Sequence, residues 1–334
     1  MIYRFPSNPI IRPENIGFSG QDGDNINGPS LIKVPGWLER PLGKYYLYFA
    51  HHRGNYIRLA YSNCLQGPWV VHAGGVSVSN LPECSHIASP DVHIDDNSRK
   101  ICMYFHLDGY SDRYPDCKQL TYVSFSKDGL DFSALNFPVG PPYLRAFWYR
   151  EQLYGIAKGN NNGIILKSND YKTPFIVLGK VLPRMRHAAV HSDGDSINVY
   201  YSRIGDKPES ILVTKFSMLD NEQWEKGQTK LVARPEYNYE GIKESLRTSN
   251  PGMAKKTERQ LRDPAIFIDS EEIFLLYSNA GEQGICISKY VDLHNEYLRE
   301  NPLIEWLLIL MNKRSIRKVI AFFKRLYSIL LKSK

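Results

Sequence analysis

An all-β chain folded as a five-bladed β-propeller, followed by an amphipathic helical tail, is what this sequence predicts. Three observations carry the prediction. From about residue 25 to about residue 290 the chain reads as short apolar or alternating runs broken by Gly, Asp, Asn and Pro, with no long helical period. These runs group into a unit that recurs five times. Most units end in a Ser-containing turn closed by an aromatic residue.

The runs Lys44–Ala50, Ile57–Tyr61, Lys100–Phe105, Leu153–Ala157, Ile197–Tyr201 and Glu272–Tyr277 are dense in Tyr, Phe, Ile and Val, residues that suit a pleated surface. The units open at Asn27-Gly28-Pro29-Ser30, Ser89-Pro90-Asp91-Val92, Tyr143-Leu144-Arg145-Ala146, Arg186-His187-Ala188-Ala189 and Arg262-Asp263-Pro264-Ala265. Their turns are Ser62–Trp69, Ser126–Phe132 and Ser168–Phe175, with a looser version at Phe216–Trp224 and a last unit ending near Ser288. In such a turn Ser and Asp bond the local backbone and Gly opens the chain. The aromatic is expected to plug the space between neighbouring units. Five four-stranded units at irregular spacings of roughly 43–76 residues fit a propeller. A β-sandwich with long loops is the competing arrangement, and the repeated Ser-turn-aromatic element favours the propeller. The expected domains are a propeller over residues 1–295 and a tail over 296–334.

The formal charge of +7 belongs to the tail. Lys313, Arg314, Arg317, Lys318, Lys324, Arg325, Lys332 and Lys334 lie in a segment without Asp or Glu, so the rest of the chain nets −1. A nucleic-acid partner is therefore not expected. Five cysteines, an odd number with no C-x-x-C pair, argue against a disulfide framework and a zinc ribbon. Met1–Pro6 lacks the features of a secretory signal, and the apolar run Trp306–Met311 is far short of the roughly 20 residues that span a bilayer. A reducing, cytoplasmic location is expected.

In a propeller the first strand of each blade lines the central channel. The five openings should then gather Asn27, Asp91, Arg145, His187 and Asp263 at one mouth. Polar residues at that place make a poor core and a good ligand pocket. His51, His52, His86 and His93 fall in or beside openings and first turns, and Arg203 follows a second strand. Trp148 and Tyr149, near Arg145, are the aromatics to test for sugar stacking; the other Tyr-rich strands are expected to be packing core. No metal is expected, since no H-E-x-x-H spacing appears. No cofactor is expected either: Gly159–Gly163 is a turn rather than a phosphate loop, and there is no dinucleotide fingerprint or Ser–His nucleophile elbow.

The motifs Ser89-Pro90-Asp91-Val92, Tyr239-Glu240-Gly241, Arg262-Asp263-Pro264 and Gly67-Pro68-Trp69 resemble those of the five-bladed propeller glycoside hydrolases, families 43, 32, 68 and 117 and their relatives, over about residues 20–290. Tyr48–His52 and His86–Asp91 are similar to patterns in unassigned members. The resemblance implies two-carboxylate glycoside chemistry with a carbohydrate substrate. Glu240 is then the candidate acid, and Asp91 and Asp263 are the other two carboxylates. Their carboxyl groups should converge within about 10 Å. Arg262 would hold a carboxylate-bearing sugar or keep Asp263 ionised. The blade-one opening departs from the family pattern, with Asn27 where an Asp is expected and only Asp22 and Asp24 upstream. Either the catalytic set is rearranged, with His187 in an acid role, or the propeller binds or scaffolds without catalysis.

Asn301-Pro302 reads as a helix start. From residue 312 apolar residues recur largely at spacings of three and four, with cations on the remaining surface. Such a helix is expected to lie on an anionic membrane surface; packing on the propeller or a second subunit is the alternative. Together these features suggest a glycan hydrolase or a membrane-peripheral glycosyltransferase at the inner membrane face, as in bacterial surface-polysaccharide metabolism.

Overall fold

The computed structural model describes residues 2–15, 18, 23–219 and 223–290. The tail, with its helix start and its basic segment 312–334, lies outside them, as does Asp22. Among the described residues no helix is long and apolar enough to cross a membrane.

The strands form a five-bladed propeller. The chain starts with β1 (Ile2–Arg4), which joins the last blade. Blade one is β2 (Asn27–Lys33), β3 (Tyr45–Ala50), β4 (Arg58–Ser62) and β5 (Val70–His72). Blade two begins with an extra outer strand, β6 (Ser77–Ser79), then β7 (Ile87–Asp95), β8 (Lys100–Asp108), β9 (Gln119–Ser126) and β10 (Asp131–Ala134). Blade three is β11 (Arg145–Tyr149), β12 (Gln152–Lys158), β13 (Asn162–Ser168) and β14 (Ile176–Pro183). Blade four is β15 (Met185–Asp193), β16 (Ser196–Arg203), β17 (Ile211–Met218) and β18 (Trp224–Ala233). Blade five is β19 (Arg262–Asp269), β20 (Glu272–Asn279) and β21 (Gly284–Tyr290). There β1 pairs antiparallel with β21, Ile2 opposite Tyr290, so the two ends of the ring share one sheet. The extra strand β6 pairs parallel with β10.

Blades packed face to face leave no solvent side on their second strands. All six residues of β3 are buried, as are seven of the nine in β8. This explains the aromatic density of those runs: both faces of the strand meet apolar neighbours. The Ser turns work as their chemistry suggests. Ser126 Oγ accepts from the Gly129 N–H at 2.8 Å, and Asp128 Oδ1 accepts from the N–H groups of Leu130 and Asp131. In the next blade Asp170 Oδ1 accepts from the N–H groups of Lys172 and Thr173. The aromatics that end the turns, Trp69, Phe132 and Phe175, are buried in three different seams between blades.

The inner strands are not regular. Their pairing with the second strand slips between Asn27 and Ser30, Ala88 and Asp91, Met185 and Ala188, and Arg262 and Ala265. These are bulges, which bend a strand and re-aim side chains. Gly28, Ser89 and Asp263, each followed by Pro, take positive φ of 60°, 56° and 48° there. By register the equivalents of Asp91 are Ser30, Ala188 and Ala265, the first residues after the slip. Asp263 and His187 sit inside the bulge instead, nearer the strand start.

Candidate active site

The expected cluster of five opening residues therefore divides into two levels. Arg145 crosses the channel between them. Its side chain donates to the Pro90 carbonyl on blade two and, at 3.1 Å, to the Ala188 carbonyl on blade four.

The inner level holds Asp91. Its Oδ2 accepts from the Ala146 N–H at 2.8 Å and meets His93 Nε2 at 2.8 Å, and its Oδ1 lies 3.5 Å from Arg145 Nη1. Burial would raise this carboxyl, but His93, Arg145 and the Ala146 N–H outweigh it and lower it. A cavity of about 320 Å³ continues along all five inner strands, lined by Asp91, His93, Arg145, Trp148, His191 and Ile266 among others. Trp148 is partly exposed here, and its Nε1 donates to the Tyr171 hydroxyl at 2.7 Å.

The outer level lies at the mouth where the inner strands begin. His187 Nδ1 pairs with Asp263 Oδ1, and Asp263 Oδ2 accepts from the Ser278 hydroxyl at 2.9 Å. His187 Nε2 has no hydrogen-bond partner among the described residues, and neither ring nitrogen of the buried His106 has one. Tyr143 lies between these two rings, 4.4 Å from His106 and 4.3 Å from His187, centre to centre. His86 and His52 extend the arc towards blade one, at 5.4 Å from His106 and 6.4 Å from His86 respectively. His86 Nδ1 lies 3.2 Å from the Gly54 carbonyl, and His51 Nδ1 accepts from the Arg53 N–H. Asn27 donates to Asn25, which in turn donates to the Glu282 carboxylate at 2.6 Å.

Electrostatics sharpen the mouth. Burial, then Arg186, Lys158, Arg145 and His106, hold His187 well below the ordinary imidazole range. Burial likewise lowers His106 and His86. Burial pushes the Tyr143 phenol up to about 12, against the effect of Arg186. Glu282 is held down to about 2: burial would raise it, but the bond to His52, the Arg262 charge and the Asn25 amide prevail.

Several expected site residues serve other purposes. Glu240 is fully buried between blades four and five, with both oxygens occupied. Its Oε1 accepts from Arg4 Nε at 2.7 Å and the Tyr277 hydroxyl at 2.8 Å; its Oε2 accepts from the Glu236 and Tyr237 N–H groups. It shares no partner with Asp91 or Asp263, so the three carboxylates form three separate networks rather than one catalytic set. Arg262 is 1% exposed, and Gln260, Glu282, Glu258 and the Gly252 carbonyl take its donors, which leaves none for a sugar. Arg203 braces a surface turn through Asp206 at 2.9 Å. Asp91, His93 and Trp148 belong to the inner cavity, not the mouth.

Residues missed in the sequence include His106, Tyr143, Lys158, Arg186 and Glu282. One signal could have found two of them. The second strand of each blade returns to the same mouth, so its last residues join the openings. His106 and Lys158 stand near the ends of β8 and β12, where blade one has His51 and His52.

Among the described residues no group of three or more His, Cys, Asp or Glu side chains is placed to hold a metal ion.

No protein-family model matches the chain. Solved structures share its fold. One is an exo-1,5-α-L-arabinanase from a bovine ruminal metagenomic library, 10% identical, TM-score 0.54, covering 80% of this chain and 94% of that one. A thermostable family-43 glycoside hydrolase is 14% identical, TM-score 0.55, covering 84% and 93%. An N-acetylgalactosamine deacetylase from F. plautii, in complex with blood group B trisaccharide, is 12% identical, TM-score 0.57, covering 86% and 95%. At these identities the likeness is one of fold, and a shared fold hosts more than one chemistry. In sequence, an uncharacterized protein of Acanthamoeba polyphaga mimivirus is 32% identical over 320 residues, covering 85% of this chain and 88% of that protein. The chain therefore belongs to the family of that mimivirus protein, and it shares its fold with the arabinanase and the family-43 glycoside hydrolase.

Proposed function

We propose that the protein is a glycan-active enzyme that cleaves or transfers a glycosyl unit at the channel mouth. The observation that carries the reading is the contact between His187 and Tyr143, whose rings are 4.3 Å apart and whose proton affinities are driven in opposite directions. A pair of titratable groups pushed apart by their surroundings marks the base and the acid. With the Nδ1 proton of neutral His187 directed towards Asp263, its Nε2 lone pair is used by no described residue. It can take the proton of a water or an acceptor hydroxyl as that oxygen attacks the anomeric carbon. Tyr143 keeps its proton at neutral pH and can give it to the departing glycosidic oxygen. The solved neighbours support a carbohydrate substrate: the arabinanase and the deacetylase are named for sugars, and the latter holds a trisaccharide.

The test is turnover of aryl glycosides, oligosaccharides and lipid-linked glycans by full-length protein. Wild type should process a substrate that His187→Ala and Asp263→Asn leave intact. Turnover that survives both substitutions sinks the reading. A second reading, a glycan-binding propeller without catalysis, is favoured by one observation: Asp91, Glu240 and Asp263 belong to three separate networks and not to one carboxylate set. Sugar binding by wild type without any turnover would select it.

The basic segment 312–334 we assign to an anionic membrane surface, placing the enzyme peripherally at the cytoplasmic face, where a surface-polysaccharide role would act. Co-sedimentation with anionic liposomes should fall when the chain is cut to residues 1–311; equal pelleting would end that assignment.

A further inference from the structure

Among the described residues Arg58, Arg145, Lys158, Arg186 and Arg262 stand around the mouth, and Lys118 and Arg184 line the cavity that opens beside it. Four of the five at the mouth are matched. Arg58 donates to the Asn25 and Ala50 carbonyls. Arg145 has Asp91 and two carbonyls. Arg186 Nε binds Glu209 at 2.7 Å and its other nitrogens reach the Asn250 and Gly252 carbonyls. Arg262 has Gln260, Glu258 and Glu282. Lys158 differs. It ends β12, its backbone N–H donates to the Pro142 carbonyl at 3.0 Å, and its half-buried ammonium lies 5.1 Å from the centre of the Tyr143 ring. No hydrogen bond or ion pair from that ammonium reaches a described residue.

Burial and then Arg186 lower this ammonium's proton affinity, and Glu209 opposes them without forming an ion pair with it; a partly buried charge with no direct partner is costly. The Tyr143 face compensates only in part. A cavity of about 610 Å³ opens at this point, lined by Tyr143, Lys158, Asn160, Asn161, Gln119 and Asp108 among others. Its volume is in the range of ligand pockets, and its amides suit sugar hydroxyls. From these residues we infer that the substrate is an acidic glycan whose sugar carboxylate is bound by Lys158. The inference rests on the proposed reading of the mouth as a glycan site. It also moves the anion-binding role away from Arg262, whose donors are filled. A carboxylate fits better than a phosphate. Lys158 is a point charge with no forked donor set, and the Arg184 fork in the same cavity is engaged by Asp206 and the Ile204 carbonyl, whereas a phosphate dianion is typically met by a free Arg fork or several N–H groups. Asp108 and Asp116 share the same cavity, so one acidic group at Lys158 fits better than a uniformly charged polyanion. The position beside Tyr143 would set the acidic sugar at the scissile bond.

The experiment is calorimetric titration of the full chain with paired oligosaccharides that differ only in a terminal glucuronate or glucose, and with the matching sugar 6-phosphate. Wild type should prefer the uronate by about tenfold or more, equivalent to about 1.4 kcal/mol. Lys158→Met should abolish the preference while leaving binding of the neutral member unchanged. Lys158→Arg should restore part of it, and added salt should weaken it. Three results overturn the inference: equal or tighter binding of the neutral member, an equal loss for both members in Lys158→Met, or a preference for the phosphate. If the neutral sugar binds in a manner that depends on His187 and ignores Lys158, this inference falls and the glycan reading stands. If no member of the panel binds, both fall.

Discussion

Two regions of the molecule bury carboxylates among cations, and they differ in one respect. In the seam between blades four and five, Glu240 meets Arg4, Tyr277 and two backbone N–H groups, and every acceptor site is used. At the channel mouth, Asp263 binds His187 and Ser278, while His187 Nε2 and both His106 nitrogens face neighbours that offer nothing. A saturated buried ion pair does structural work, because removing one partner strands the other. An incomplete one holds interaction capacity in reserve for a ligand. Burial and charge are alike in the two places; unfilled valence separates the site from the brace.

Five predictions break or sharpen this contrast. The largest effect belongs to the mouth. His187→Ala and Asp263→Asn should each lower kcat by about 10²–10⁴-fold with the thermal midpoint nearly kept, read by steady-state kinetics beside thermal melting. A large drop in the midpoint with activity per folded molecule intact would reverse the assignment. The seam should behave in the opposite way. Glu240→Ala should cost about 3–5 kcal/mol in urea unfolding and leave kcat of the folded fraction unchanged.

The third prediction concerns pH. His187 must be neutral to accept a proton, and its affinity is lowered by burial and cations. Activity should therefore persist below the ordinary imidazole value of about 6.5 and fall only as pH drops through the lowered value. Lys158→Met removes a charge that lowers His187, so the acid limb should move upward in that variant; an unmoved limb would dissociate His187 from the rate. Stability has a separate acid limb. Glu282 is depressed to about 2 in the folded chain. Its contribution is present above the unfolded carboxyl range and lost as pH falls towards 2. Glu282→Gln should flatten that part of the unfolding curve. The smallest effect lies in the turns: Ser126→Ala removes the acceptor for the Gly129 N–H and should cost about 1 kcal/mol, without effect on catalysis.

Much of the fold was legible because its signals are local. Period-two runs, a Ser turn that bonds its own backbone and an aromatic at a fixed offset all lie within a few residues of each other, as in Ser126–Phe132. The end of the chain that closes the ring was not legible, since β1 pairs with β21 across nearly the whole sequence. The site was half legible. His187, Asp263, His52 and His86 do gather at the mouth. Asp91 does not, because a bulge places it further along its strand than Asp263. Glu240 looked catalytic from its Tyr-Glu-Gly context, and nothing near it in sequence announces Arg4 or Tyr277, which saturate it.

By itself, then, the sequence determined the number of blades, the turn chemistry, the near-neutral charge of the propeller and the set of polar residues from which a site could be drawn. Tertiary structure decided which of those residues keep a free lone pair or a free charge. Hydrogen-bond saturation depends on partners brought together from anywhere in the chain: Glu240 meets Arg4, 236 residues away, while Lys158 meets an aromatic face and a cavity. That count of partners, which no local pattern encodes, separates a brace from a site.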